Sequence, residues 1–163
     1  MKVLGIDPGT AACGYGIVQE SEGRLQAVEY GTWRTPSRER IELRLKTIFD
    51  GVDGLIARHA PDAAVLEESF VGADARIALS VGQARGAVLV ACARGGVAAV
   101  EYAPNRVKQM ICGYGHADKA QIQQMVKTIL GLSEQPRPHH ASDALAVAIC
   151  HALAPPLLEV MAR

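Results

Sequence analysis

Lys2-Val3-Leu4-Gly5-Ile6-Asp7 is a short apolar run closed by the turn residues Pro8-Gly9-Thr10, the pattern of a buried strand that ends on an acid. Residues 14–20 and 25–34 follow as alternating segments separated by the polar Ser21-Glu22-Gly23-Arg24, which predicts a hairpin continuing from that first strand. Beyond Pro36-Ser37, Ile41, Leu45, Ile48, Phe49, Val52, Leu55 and Ile56 recur at helical spacing, with Ser37 expected as the cap and Pro61 as the stop. A second buried strand is expected over 62–67, and a helix rich in Ala and Gly over 74–94. A further strand follows over 97–102, then a short helix opened by Pro104, a helix over 118–130 stopped by Gly131, and a last helix over 140–153. Three antiparallel strands and then strand, helix, strand make an α/β domain with a five-stranded mixed sheet flanked by helices. A right-handed crossover lays the strand at 62–67 parallel to the first one, so that Asp7 and Glu67 meet at the carboxyl ends of adjacent strands, where open α/β sheets place their chemistry.

Composition sets the outer limits. The chain has 163 residues, 49% hydrophobic and 21% charged, with Lys and Arg balancing Asp and Glu at 17 each, which fits one domain over 1–163 with a core of its own. The apolar fraction argues against disorder, and no uninterrupted apolar run reaches the length of a membrane span, so a cytoplasmic protein without a signal peptide is expected. Cys13, Cys92, Cys112 and Cys150 lie far apart among small apolar residues and are expected as buried free thiols. Charge is unevenly spread. Residues 76–127 carry seven cations, Arg76, Arg85, Arg94, Arg106, Lys108, Lys119 and Lys127, against two acids; this is either a solvated face or a surface for a polyanion.

Three acids stand where acids are costly. Asp7 and Glu67 each emerge from buried apolar backbone, and Asp143 opens the apolar helix Ala144-Leu145-Ala146-Val147-Ala148-Ile149. Turn capping by Asp7 and helix capping by Asp143 are the bland readings. His140 and Asp143 are spaced i, i+3, so they share a helix face. With two carboxylates on neighbouring strands they would form a four-ligand hard site for Mg²⁺ or Mn²⁺ able to support phosphodiester hydrolysis. Zinc spacing is absent.

Taken together, Gly5-Ile6-Asp7-Pro8-Gly9-Thr10 with Gly14-Tyr15-Gly16, Leu66-Glu67-Glu68-Ser69-Phe70, Gly82-Gln83-Ala84-Arg85-Gly86, Val107-Lys108-Gln109 and Ala141-Ser142-Asp143-Ala144-Leu145-Ala146 resemble, in order and spacing, the RuvC family of bacterial Holliday-junction resolvases. The resemblance implies a ribonuclease-H-like fold, a homodimer, and metal-dependent nicking of a four-way DNA junction in concert with the RuvA and RuvB branch-migration proteins. It places the catalytic metal ligands on Asp7, Glu67, His140 and Asp143, with two Mg²⁺ or Mn²⁺ ions per site. Lys108 and Lys119 fall near the scissile phosphate, and Phe70 on an unpaired base. Arg76 and Arg85 are expected on DNA as well. Many members have Asp and some have His where this chain has His140, and the imidazole favours Mn²⁺ because nitrogen ligands suit transition metals. Other readings share parts of the pattern: an actin-like phosphotransferase with the Asp-x-Gly-Thr loop, a related nuclease acting on RNA precursors, or a junction-binding protein without activity. His139 is expected to be a solvated helix-start residue.

Overall fold

The computed structural model describes residues 1–68 and 75–154, so Phe70 lies outside the described residues. Among these, β1 (Lys2–Asp7), β2 (Ala12–Ser21), β3 (Arg24–Arg34), β4 (Ala63–Glu67) and β5 (Ala99–Tyr102) form one mixed sheet in the order β3-β2-β1-β4-β5. The hairpin between β2 and β3 turns on Glu22 and Gly23, both at positive φ, the two-residue turn whose twist matches that of the strands. β1 and β4 run parallel with Ile6 opposite Leu66, which makes Asp7 and Glu67 lateral neighbours as expected.

Strand alternation divides the structure into two layers. Leu4, Ile6, Ile17, Ala64 and Leu66 point into a core with α1 (Ile41–His59) and α2 (Ala75–Arg94). Val3, Val18 and Val65 point the other way, into a core with α3 (Pro104–Cys112), α4 (Lys119–Ile129) and α5 (His139–Ala152). Counting on by twos from Val3 and Val65, Asp7 and Glu67 fall on the face that carries α5.

Several local signals act as expected. Pro104 opens α3; Asp118, read from the sequence as the first helical residue, is instead the cap of α4, accepting from the Gln121 amide while the Gln121 side chain accepts from the Asp118 amide, a complete capping box. Ser37 does not cap α1. The helix begins at Ile41 behind Arg40, with no side-chain cap, because residues 36–39 fold into a turn of their own, closed by the Glu39 amide on the Pro36 carbonyl. β5 starts at Ala99, two residues later than the sequence suggests. Cys13, Cys92 and Cys150 are buried and Cys112 is half-buried, all of them free. By length and mean hydropathy α2 resembles a bilayer span. Here it packs one face, Ala84, Val88, Ala91 and Cys92, into the core and leaves Leu79 and Val90 66% and 60% exposed.

Glycines let α5 lie directly on the sheet. A methyl group at Gly5 would stand 1.9 Å from the Ala144 carbonyl oxygen, and one at Gly14 would stand 2.0 Å from the His140 carbonyl oxygen. Gly14 is the β2 partner of Asp7. The absence of a side chain there sets the helix start, with His140, down beside the Asp7 strand end.

Candidate active site

Four elements converge at the carboxyl ends of β1 and β4. β1 delivers Asp7, β4 delivers Glu67, the first turns of α5 deliver His140 and Asp143, and the start of α4 delivers Lys119. Nδ1 of His140 stands 2.6 Å from Oδ2 of Asp7, and Nζ of Lys119 donates to Oδ2 of Asp143 at 2.8 Å. With the Asp7 carboxylate ionised, the ring donates this bond from Nδ1, and in the neutral tautomer that does so the lone pair lies on Nε2.

These contacts remove the bland readings of two acids. The Asp7 carboxylate engages the His140 ring rather than the Pro8–Thr10 backbone. Asp143 lies beyond the first turn of α5, whose N-cap is Pro138 with no side-chain bond, so it caps nothing.

Electrostatics bind the acids into one unit. Burial raises the Asp7 carboxyl above its ordinary range; the hydrogen bond from His140 opposes this, and the Asp143 charge adds to it. Desolvation first, then the charges of Asp7 and Asp143, push Glu67 up to about 7 against the opposing pull of Lys108 and Lys119. Lys108 and Lys119 are thus both close enough to be felt at the acids.

Among the described residues no three or more His, Cys, Asp or Glu side chains stand in a ready-made metal cluster. Three of the four expected ligands are paired off, Asp7 with His140 and Asp143 with Lys119. The donor set still suits a divalent cation. Three mutually repelling carboxylates and an imidazole offer hard oxygen and one borderline nitrogen, and a divalent charge between them would relieve the repulsion that raises Glu67.

The other cations of the basic stretch separate. Arg76 is exposed in the first turn of α2. Arg94, about 27 Å further along the same helix, pairs with Asp53 at 3.6 Å and covers the Phe49 ring. Arg85 is held inside the protein: its guanidinium pairs with Glu101 and donates to the Glu67 backbone carbonyl at 3.0 Å. His139 is not simply solvated, since its Nδ1 bonds to the side-chain nitrogen of buried Gln123 at 2.7 Å. Lys119 and Gln123, one turn apart on α4, therefore meet Asp143 and His139, one turn apart on α5. This brace between helices was not read from the sequence, where Gln123 carries no motif; the i, i+4 spacing of both pairs is the one trace of it.

Strand order β3-β2-β1-β4-β5 with acids on the two central strands and on the helix laid across them defines the ribonuclease-H-like class. Comparison with known proteins narrows this. The family profile described as "Crossover junction endodeoxyribonuclease RuvC" matches residues 3–151. A protein of that name from Heliobacterium modesticaldum is 49% identical over 150 residues, 92% of this chain and 93% of its own length. The Thermus thermophilus RuvC structure superposes with a TM-score of 0.89 at 38% identity, covering 99% of this chain and 98% of that one. The T. thermophilus RuvC in complex with Holliday junction substrate gives the same TM-score at 40% identity, over 94% and 93% of the two chains. The chain belongs to the RuvC family of crossover junction endodeoxyribonucleases.

Proposed function

We propose that this protein resolves four-way DNA junctions by divalent-metal-dependent phosphodiester hydrolysis, nicking two symmetric strands during recombination and repair in the cytoplasm. The observation that carries this is the convergence of Asp7, Glu67, His140 and Asp143 on one sheet end with Lys119 bonded to the last of them. Asp7, Glu67, Asp143 and Nε2 of His140 would hold the metal, as two ions, Mn²⁺ being favoured by the imidazole. A bound cation would supply Lewis acidity toward the phosphate oxygens and lower the pKa of a coordinated water. The chain's own groups do the rest. Asp7 orients the His140 ring through Nδ1, and the glycine-lined contact of α5 on β1 and β2 fixes both against the sheet. Lys119, bonded to Asp143, and Lys108 would present compact cations to the scissile phosphate. Arg76 and Phe70 are assigned to the DNA surface.

Two nicks related by a two-fold axis call for two identical sites, and the outer face of α2 fits a self-complementary contact. Leu79, Gly82, Gly86 and Val90 follow one another at helical spacing on the exposed side, and among the described residues neither glycine has an atom outside its own helix backbone within 4 Å of where its Cβ would be. A homodimer through α2, working with RuvA and RuvB, is the assembly proposed. Incubation with labelled junction, linear duplex and RNA hairpin, with and without Mg²⁺ or Mn²⁺, tests the function: paired nicks in the junction alone, with metal alone, are expected. Cleavage of the RNA in preference to the junction would overturn it.

A further inference from the structure

We infer that Arg85 is a positioning residue that fixes the end of β4, and with it Glu67, rather than a contact to DNA. This rests on the assignment of Glu67 to the metal-binding set. Arg85 lies in the middle of a largely exposed helix, yet its side chain is only 14% exposed. Its Nη2 ion-pairs with Glu101 of β5, while Nη1 donates to the Glu67 carbonyl oxygen at 3.0 Å. Glu101 is in register with Leu66, whose side chain lies in the core shared with α1 and α2. The guanidinium thus reaches the strand end from the α2 layer, opposite the face on which the carboxylates gather.

Glu67 is the last residue of β4, where the ladder stops supplying donors to the backbone. A planar fork can satisfy that carbonyl and the Glu101 carboxylate together, which an ammonium cannot do with the same geometry. Strand end, neighbouring strand and α2 are thereby tied at one point. The influence on Glu67 is geometric: the charges that shift its carboxyl are those of Asp7, Asp143, Lys108 and Lys119. Glu101 offsets the charge of Arg85, and the bonds to Glu101 and to the Glu67 carbonyl turn its fork toward the strand ends rather than outward to a phosphate.

R85K, R85M, E101A and E67Q separate the possibilities, each assayed for metal-free junction affinity across a salt series, calorimetric Mn²⁺ affinity, single-turnover cleavage and thermal unfolding. For R85K and E101A we expect junction Kd and salt slope to stay within about twofold, Mn²⁺ affinity to fall about tenfold, and cleavage to slow ten- to about a hundredfold. E101A is the sharpest variant, because it removes a negative charge. Were Arg85 a phosphate contact, E101A would bind and cleave at least as well as wild type, R85K would retain function, and R85M would lose affinity with a salt slope smaller by about one. That pattern overturns the proposal, as does wild-type cleavage by either R85K or E101A. E67Q guards the premise. If it cleaves normally, the assignment of Glu67 itself fails, whereas an inactive E67Q beside a fully active R85K rejects only the role of Arg85. Should R85M fail to fold, R85K and E101A still decide.

Discussion

Asp7 accepts from His140 at 2.6 Å, and an amide at this position would keep the shape and the accepting oxygen while losing the charge. Asp7→Asn is therefore expected to slow cleavage by on the order of a hundredfold or more while junction binding, which draws on phosphate contacts elsewhere, is retained. Near wild-type nicking by this variant would remove Asp7 from the site. At His140 a carboxylate would replace the nitrogen ligand by oxygen. His140→Asp should keep cleavage and move the preference from Mn²⁺ toward Mg²⁺, and His140→Ala should lose most activity without unfolding, as judged by parallel cleavage and melting measurements. Glu67 provides a pH prediction. Its carboxyl is raised from 4.5 to about 7, so at low pH it is neutral both folded and unfolded, and no penalty exists. As pH rises between these values the unfolded chain ionises first, and stability falls until the folded group has also ionised. Metal-free protein should thus lose stability from about pH 4.5 to 7, and Glu67→Gln should be the more stable of the two above pH 7, with the difference vanishing near pH 4. A constant difference across that range in thermal unfolding would contradict the shift.

At the scale of elements, the seat of α5 on the sheet carries the greatest consequence. Gly14 and Gly5 face the backbone of the helix, not the flexible end of a side chain, so a methyl group at either must push the helix away. Gly14→Ala is expected to destabilise by about 1–3 kcal/mol and to reduce cleavage by more than that loss of folded protein explains, because His140 and Asp143 leave their places above β1. Chemical denaturation and single-turnover rates on the folded fraction check this. The brace of Gln123 on His139 changes the outlook for that histidine. Read as a solvated residue it would be dispensable, but its removal leaves a buried amide without its partner, and His139→Ala should lower the melting temperature.

For the whole molecule, the outer face of α2 is the least self-sufficient surface. Its core face is complete, while Leu79 and Val90 stay exposed beside two glycines that a neighbouring helix could approach closely. Among the described residues nothing outside the helix's own backbone stands within 4 Å of the Cβ position of either glycine, so folding of Gly82→Glu and Gly86→Glu should be unaffected. Each variant should sediment as a monomer and nick one strand at a time, and a dimer with normal paired cleavage would reject this interface.

The strand-forming run into Asp7, the hairpin, the helical spacing in α1 and the stop of α4 before Gly131 were legible along the chain because each depends on neighbours within a turn or two. So was the pairing of Asp7 with Glu67, since the handedness of a parallel crossover leaves little choice. The cap of α1 was not, because Ser37 could serve equally in a turn, and the turn won. Nor could composition distribute the cations: seven in one stretch looked like a single surface, while the fold spends Arg85 on a strand end and Arg94 on α1. Which face of the sheet Gly14 opens to α5, and which helix gives Gln123 to His139, depend on contacts between segments remote in sequence. Local pattern determined the elements and the identity of the acids; only packing decided which cations remain available to a substrate and which hold the acids in place.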